Sequence, residues 1–391
     1  MKRIQAKHYS LLALCLLLLS SAAAATPSPE QSLADEFDKL FHQQVSAENV
    51  LGAAFAVVSR QGIIRIDTAG YTDTSRKRAI DQDTAFRIAS VSKTFAAELA
   101  AQMVRDGHLS WDDPVTRYVP DFRIKGDASR IHIRHLLGQS TGLLPHAYDN
   151  LIEEGVSAAD IQHRLADLSF ICAPGECYSY QNSVFSLIGP VVEKIAASSY
   201  ANLVDQRIFK PLGMNTASVG YEAFMANPNR AEPHVRKGNG QWKTVVVSPN
   251  YYRVAPAAGV NASVRDMSKW LMAQLGANPA VIAPEILSAV SAPRVRTPRD
   301  LYRKEWNRIL TDAHYGLGWR IYQLGNEQIV YHSGWVSGYR ADVAWSPSHD
   351  IGIAVLMNVE STSINTLTTR FWELAFARLQ AMPMNLSQKS P

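Results

Sequence analysis

Two serines in this chain have neighbours that would turn a hydroxyl into a nucleophile. In Ser90-Val91-Ser92-Lys93 the lysine follows the serine by three residues. On a helix that spacing puts both side chains on one face, one turn apart. The ammonium can then activate the hydroxyl, and the helix amino end favours the anion that develops. In Gly138-Gln139-Ser140-Thr141-Gly142 the serine sits in a G-x-S-x-G pattern. Such an elbow needs a strand before it, a helix after it, and an acid and then a histidine downstream. Ile131-His132-Ile133 offers a strand and His332 a histidine. The βα alternation of an elbow's sheet is missing, however, so this segment reads as a glycine-bounded turn.

Other chemistries find less support. No H-E-x-x-H or clustered Cys/His spacing points to a metal, and no P-loop or G-x-G-x-x-G to a nucleotide. No metal and no cofactor are therefore expected. Asp112-Asp113 before Pro114 reads as a turn, and the eight tryptophans are scattered.

The elements that must position Ser90 follow from periodicity. Leu33, Phe37, Leu40 and Phe41 recur at helical spacing between Ser28 and Val45. Gly52 to Ser59 and Ile63 to Gly70 are β-rich runs around Arg60-Gln61-Gly62, a hairpin signal. From about Ser90 to Gly318 the pattern is mainly helical, with Val91, Phe95, Leu99 and Met103 as a buried stripe beside Ser90. Strand patterns return at Trp319–Leu324, Gln328–His332, Arg340–Trp345 and Ile351–Asn358, and a closing helix carries Ile364, Leu367, Phe371, Leu374 and Phe376. The expected division is a leader at 1–25, an α/β sheet region built from 26–88 and 305–391, and a mainly helical region at 89–304. No repeats, low-complexity tracts or charge runs stand out.

Composition narrows the class. The chain has 391 residues, 47% of them hydrophobic and 19% charged, which excludes a disordered chain. Its 39 Lys+Arg against 35 Asp+Glu give +4. Lys2, Arg3 and Lys7 precede the apolar run Leu11–Leu19 and the small residues Ala23-Ala24-Ala25, the form of a cleaved secretory leader. Its removal leaves +4 − 3 = +1, so the basic balance is an address and no nucleic-acid partner is expected. A periplasmic or secreted protein is expected, with no membrane attachment after leader cleavage. In that compartment Cys172 and Cys177, either side of Pro174-Gly175, are a candidate disulfide, with two free thiols the alternative.

Phe86-Arg87-Ile88-Ala89-Ser90-Val91-Ser92-Lys93-Thr94-Phe95 resembles the nucleophile segment of class C β-lactamases and their penicillin-recognising relatives. Gly107-His108-Leu109-Ser110-Trp111-Asp112-Asp113-Pro114 looks like the next turn of that family. His135-Leu136-Leu137 with Ser140-Thr141-Gly142-Leu143 looks like the loop after it, with Gln139 where a histidine is frequent. Tyr180-Gln181-Asn182 after Pro174-Gly175 looks like its Y-x-N element, and His332-Ser333-Gly334, followed by Trp335, stands where it has K-T-G or H-x-G. A second Y-x-N, Tyr148-Asp149-Asn150, comes too early and reads as loop. Four ordered elements over roughly residues 30 to 380 are specific where each alone is not.

The resemblance implies a β-lactamase/transpeptidase-like fold, an antiparallel sheet from both chain ends with a large helical insertion. It implies that Ser90 carries an acyl group, that Lys93 assists its hydroxyl and that Tyr180 is the general base. Asn182 would orient Lys93 and bind a substrate amide, and the backbone N–H groups of Ser90 and Trp335 would form an oxyanion hole. His332 is the main departure: a lysine there would carry permanent charge, whereas an imidazole is charged part of the time near neutrality. Activity is therefore expected to follow His332 ionisation. Ser333 keeps a hydroxyl where threonine is usual, and Trp335 narrows the pocket. The implied activity is β-lactam hydrolysis. DD-peptidase, D-aminopeptidase or esterase activity on the same scaffold, or acylation by penicillin without turnover, are the alternatives. The expected partner is a small β-lactam or acyl-D-Ala type substrate, bound by a monomer.

Overall fold

A computed structural model describes residues 27–379; the leader expected at 1–25 lies outside the described residues. Ser28 caps the first helix, α1 (Pro29–Ala47), by accepting from the Gln31 N–H. The hairpin β1 (Gly52–Ser59) and β2 (Gly62–Gly70) follows. Later come α2 (Ser92–Arg105) and α3 (Val264–Gln274). The chain then adds β3 (Val295–Arg296), β4 (Asp312–Tyr315), β5 (Arg320–Leu324), β6 (Glu327–Val336), β7 (Tyr339–Ser346), β8 (Ile351–Met357) and the closing helix α4 (Ser363–Arg378).

These eight strands form one sheet in the order β2-β1-β8-β7-β6-β5-β4-β3, antiparallel at every join. The strand at one end of the chain pairs with that at the other, Ala53 opposite Met357 and Val58 opposite Gly352. Strand periodicity sends alternate residues of β1 to opposite faces. Phe55 and Val57 pack with Phe37, Phe41, Phe371 and Trp372 under α1 and α4. Ala54, Ala56 and Val58 turn to the other face, with Phe95, Leu99 and Trp270 of α2 and α3. The helix α2 is the pillar of that layer: every residue from Ser92 to Met103 is buried, far more than the single stripe the sequence suggested.

The division at 304 is not where the sheet ends. β3 lies within 89–304 yet forms the sheet's edge, and that stretch also holds the short strands Ser218–Val219, His234–Arg236, Trp242–Thr244 and Val260–Ala262. A two-residue strand carries too little alternation to be seen in sequence. Ile131-His132-Ile133 is not a strand either. His132 makes a single bridge with Pro114, and Ile133–Leu137 is helical.

Candidate active site

Ser90 lies in a 3-10 turn, Ala89–Val91, that runs straight into α2. The residue before it, Ala89, holds φ at +49°, a left-handed conformation costly for a residue with a Cβ. Such strain persists only where the surroundings over-determine it, and here β6 does so. Its ladder with β5 ends at Tyr331, opposite Arg320, while pairing with β7 continues to Val336. Beyond Tyr331 the strand therefore packs against the Ser90 turn, and at Gly334 it comes so close that a Cβ would lie 2.1 Å from the Ile88 carbonyl oxygen.

Lys93 points from α2 back to Ser90. Its Nζ donates to Asn182 Oδ1 at 2.7 Å and to the Ala257 carbonyl at 3.1 Å, and stands 3.4 Å from Ser90 Oγ. The ammonium is fully buried, and burial pulls its pKa below that of a free lysine, partly offset by Tyr180 and Asp149. Nζ also lies 4.8 Å from the centre of the Tyr180 ring. The structure thus brings Lys93 together with Ser90, Tyr180 and Asn182, and these last three line a cleft of about 1530 Å³ that Ser333 and Trp335 also line. Trp335 is 60% exposed, with Arg340 5.0 Å from its ring centre.

His332 is placed differently from the expectation. It is only 1% exposed, and burial together with the nearby Arg320 and Lys93 holds its pKa well below the imidazole range. The partly ionised imidazole read from the sequence gives way to a neutral one. The permanent positive charge near the tyrosines comes from Arg320 instead, at 5.7 Å from the ring centres of both Tyr180 and Tyr315 and paired with Asp300 at 2.5 Å.

Cys172 and Cys177 are joined in a disulfide whose second cysteine lines the cleft. The rival serine, Ser140, is buried outside the cleft lining, in the loop after the Ile133–Leu137 helix. That loop braces the Tyr180 segment. Gln139 accepts from the Gln181 N–H at 2.8 Å and donates to its carbonyl at 3.2 Å, and the Ser140 carbonyl accepts from Gly175.

Several cleft residues escaped the sequence reading. Asp149, from the Y-x-N read as loop, accepts from Asn182 Nδ2 at 3.0 Å. Arg296, Arg299, Arg303 and Arg320 line the cleft together with Asp300, which pairs with Arg320, and Arg87 and Arg340 line it too, beside the acids Asp149, Glu153, Glu176 and Glu360. Between 294 and 304 lie five cations (Arg294, Arg296, Arg299, Arg303, Lys304) and one acid, Asp300, a net +4 in eleven residues. That run was visible in the sequence but diluted by the apolar residues between its arginines.

Comparison with known proteins fits this geometry. The Beta-lactamase family model matches residues 37–375. The "Beta-lactamase" of Escherichia coli K12 is 26% identical over 376 residues, covering 88% of this chain and 93% of that one. "Protein flp" of Staphylococcus aureus MRSA252 is 24% identical, and the match covers 85% of this chain but only 64% of that longer protein. "Unguisins hydrolase ungD" of Aspergillus violaceofuscus is likewise 24% identical, covering 87% and 64%. Among solved structures, the octameric penicillin-binding protein homologue of Pyrococcus abyssi superposes with a TM-score of 0.77 at 23% identity, covering 88% of this chain and 77% of that one. EstCE1, "a hydrolase with promiscuous acyltransferase activity", superposes at 0.74 and 18% identity, covering 89% and 99%. With the sheet, the buried lysine beside the serine and a family match over nearly the whole described chain, the protein belongs to the beta-lactamase family of class C-like serine hydrolases.

Proposed function

We propose that the protein hydrolyses carboxylate-bearing acyl substrates, β-lactams foremost, through a covalent ester on Ser90. The observation that carries this reading is the buried Lys93, within 3.4 Å of Ser90 Oγ and locked by Asn182. Ser90 Oγ attacks the acyl carbon while its proton leaves through Lys93 and Tyr180. The backbone N–H groups of Ser90 and Trp335 hold the oxyanion, an interaction worth about 3–4 kcal/mol of barrier per donor in comparable sites. The proton then passes to the departing nitrogen as the C–N bond breaks. Water, deprotonated by the same pair, hydrolyses the ester and restores the Ser90 hydroxyl. Among the cleft-lining residues, Arg296, Arg299, Arg303 and Arg320 outnumber Asp300 beside them, which supports substrates with a carboxylate, a group that β-lactams and acyl-D-Ala peptides carry and simple esters do not.

A second reading, peptide or ester hydrolysis on the same scaffold, is favoured by cleft size. At about 1530 Å³ it exceeds the roughly 300–1,000 Å³ usual for small-molecule sites. The experiment is one panel of penicillins, cephalosporins, carbapenems, D-Ala-D-Ala peptides, D-amino-acid amides and short-chain esters, with intact-mass detection of the adduct. β-Lactam turnover supports the first reading, and turnover of the others alone supports the second. An adduct stable for hours would instead make this a penicillin-binding protein acylated without turnover. The leader-like start and the Cys172–Cys177 bond support export, which amino-terminal sequencing of the periplasmic or secreted protein tests.

A further inference from the structure

The segment read from sequence as a loop reaches the centre of the site. His146 and Tyr148 hold φ at +57° and +64°, two left-handed residues within three positions and neither a glycine. Each costs roughly 1–2 kcal/mol against a relaxed backbone. The His146 N–H donates to the Tyr180 carbonyl at 2.8 Å, which pins the turn to the segment that carries the candidate base. What the strained turn delivers is Asp149. One of its oxygens, Oδ2, lies 3.0 Å from Asn182 Nδ2 and 2.9 Å from His146 Nδ1. The other is buried without a partner. A carboxylate oxygen left unpaired in the interior is unfavourable by itself, so its position is imposed by the turn.

The consequence falls on Asn182. A side-chain amide has one accepting end and one donating end, and turning it over exchanges them. A charged lysine only donates and an ionised carboxylate only accepts. With Lys93 on one side at 2.7 Å and Asp149 on the other at 3.0 Å, the Asn182 amide has a single satisfied orientation, with Oδ1 towards the lysine. We propose that Asp149 is a positioning residue of the acyl-transfer site, holding the Asn182 amide in the orientation that aims Lys93 at Ser90. It acts through Asn182 and contacts none of the reacting atoms. The inference rests on the acyl-enzyme reading of Ser90.

The test compares wild type with Asp149→Asn and Asp149→Ala in pre-steady-state acylation by a chromogenic β-lactam and by a p-nitrophenyl ester, with intact-mass location of the adduct. In Asp149→Asn the group facing the Asn182 amide can donate as well as accept, so that side no longer selects an orientation and Lys93 alone holds it. The acylation rate should fall between about tenfold and a hundredfold, with KM and melting temperature little changed. A packing role alone would not move the pH profile. Lys93 is faced by Tyr180 and Asp149, which favour its charged form, and by Arg320 and His332. Neutralising Asp149 should therefore shift the limb set by Lys93 to lower pH. If both variants acylate at the wild-type rate with an unmoved limb, the positioning role is overturned while the nucleophile stands. If wild type forms no adduct on Ser90, the acyl-enzyme reading fails and the inference with it. Should Asp149→Ala unfold, Asp149→Asn, which keeps the side-chain shape, still decides.

Discussion

Tyr315 Oη and His332 Nε2 face each other at 3.0 Å in the interior of the site. The other imidazole nitrogen, Nδ1, is 2.8 Å from the Ser333 carbonyl, which can only accept. The proton of the neutral ring is therefore on Nδ1, and Nε2 accepts from the tyrosine. Burial pushes Tyr315 well above the phenol range, so it stays a donor and suits this arrangement. Protonating Nε2 would break that bond and put a third cation beside Lys93 and Arg320.

The first prediction follows from that pair. With His332 held well below the imidazole range, kcat/KM should show no limb set by this residue between about pH 5.5 and 7.5. The comparison is the pH profile of wild type against His332→Asn. Any limbs should lie at the same pH in both, whatever happens to the absolute rate. A limb in that window that disappears in the variant would restore the titrating histidine expected from sequence.

The reversal at His332 has a physical origin in what lies far from it in sequence. An S-x-x-K on a helix is a local relation, and Ser90 and Lys93 are placed by the geometry of one helical turn. The strands β1 and β8 were legible because their residues serve two different layers at a spacing of two. The environment of His332 is not local. It depends on Arg320, twelve residues away on the neighbouring strand, and on Tyr315 from the next one. Asp149 was passed over for the same reason. Its partner Asn182 is 33 positions distant, and no periodicity connects a strained turn to an amide across the cleft.

The second prediction concerns the close approach of β6. At Gly334 a Cβ would meet the Ile88 carbonyl oxygen at 2.1 Å and the Ile88 carbonyl carbon at 3.0 Å, both backbone atoms that cannot swing aside. Gly334→Ala should push the strand from the Ser90 turn and spread Trp335 from Ser90. The expected loss is about a hundredfold in kcat/KM, with destabilisation of about 1–3 kcal/mol. Gly62→Ala, where no atom lies within 4 Å of the added Cβ, is the control and should behave as wild type. Equal activity in the two variants would show that the contact does not set the site.

The third prediction separates the two serines. Ser90→Ala should abolish both the covalent adduct and turnover, because Ser90 Oγ is the serine hydroxyl that stands 3.4 Å from Lys93 Nζ. Ser140→Ala should keep both, since Ser140 is 5% exposed in a bracing loop and its backbone carbonyl, retained in the variant, makes the bond to Gly175. Mass location of the adduct after proteolysis reads the outcome. An adduct that survives in Ser90→Ala would move the nucleophile elsewhere.

The last prediction concerns stability and comes from Glu98, five residues beyond Lys93 on the pillar helix. It is fully buried, and neither carboxylate oxygen has a hydrogen-bond partner. Burial raises its pKa to about 8, against weaker lowering by its neighbours Gln274 and Trp319. In the unfolded chain it returns to about 4.5. The folded state therefore holds a proton that the unfolded state has lost over this window. The contribution to stability is fully present below about pH 4.5 and is lost as pH rises through about 8. Over that interval the linkage amounts to something on the order of 3–5 kcal/mol. Glu98→Gln removes the titration while keeping the shape. The variant should match wild type in urea denaturation near pH 5 and be the more stable of the two near pH 9. A variant no more stable than wild type at pH 9 would mean that the carboxylate is solvated or paired when charged, and the buried neutral acid would have to be abandoned.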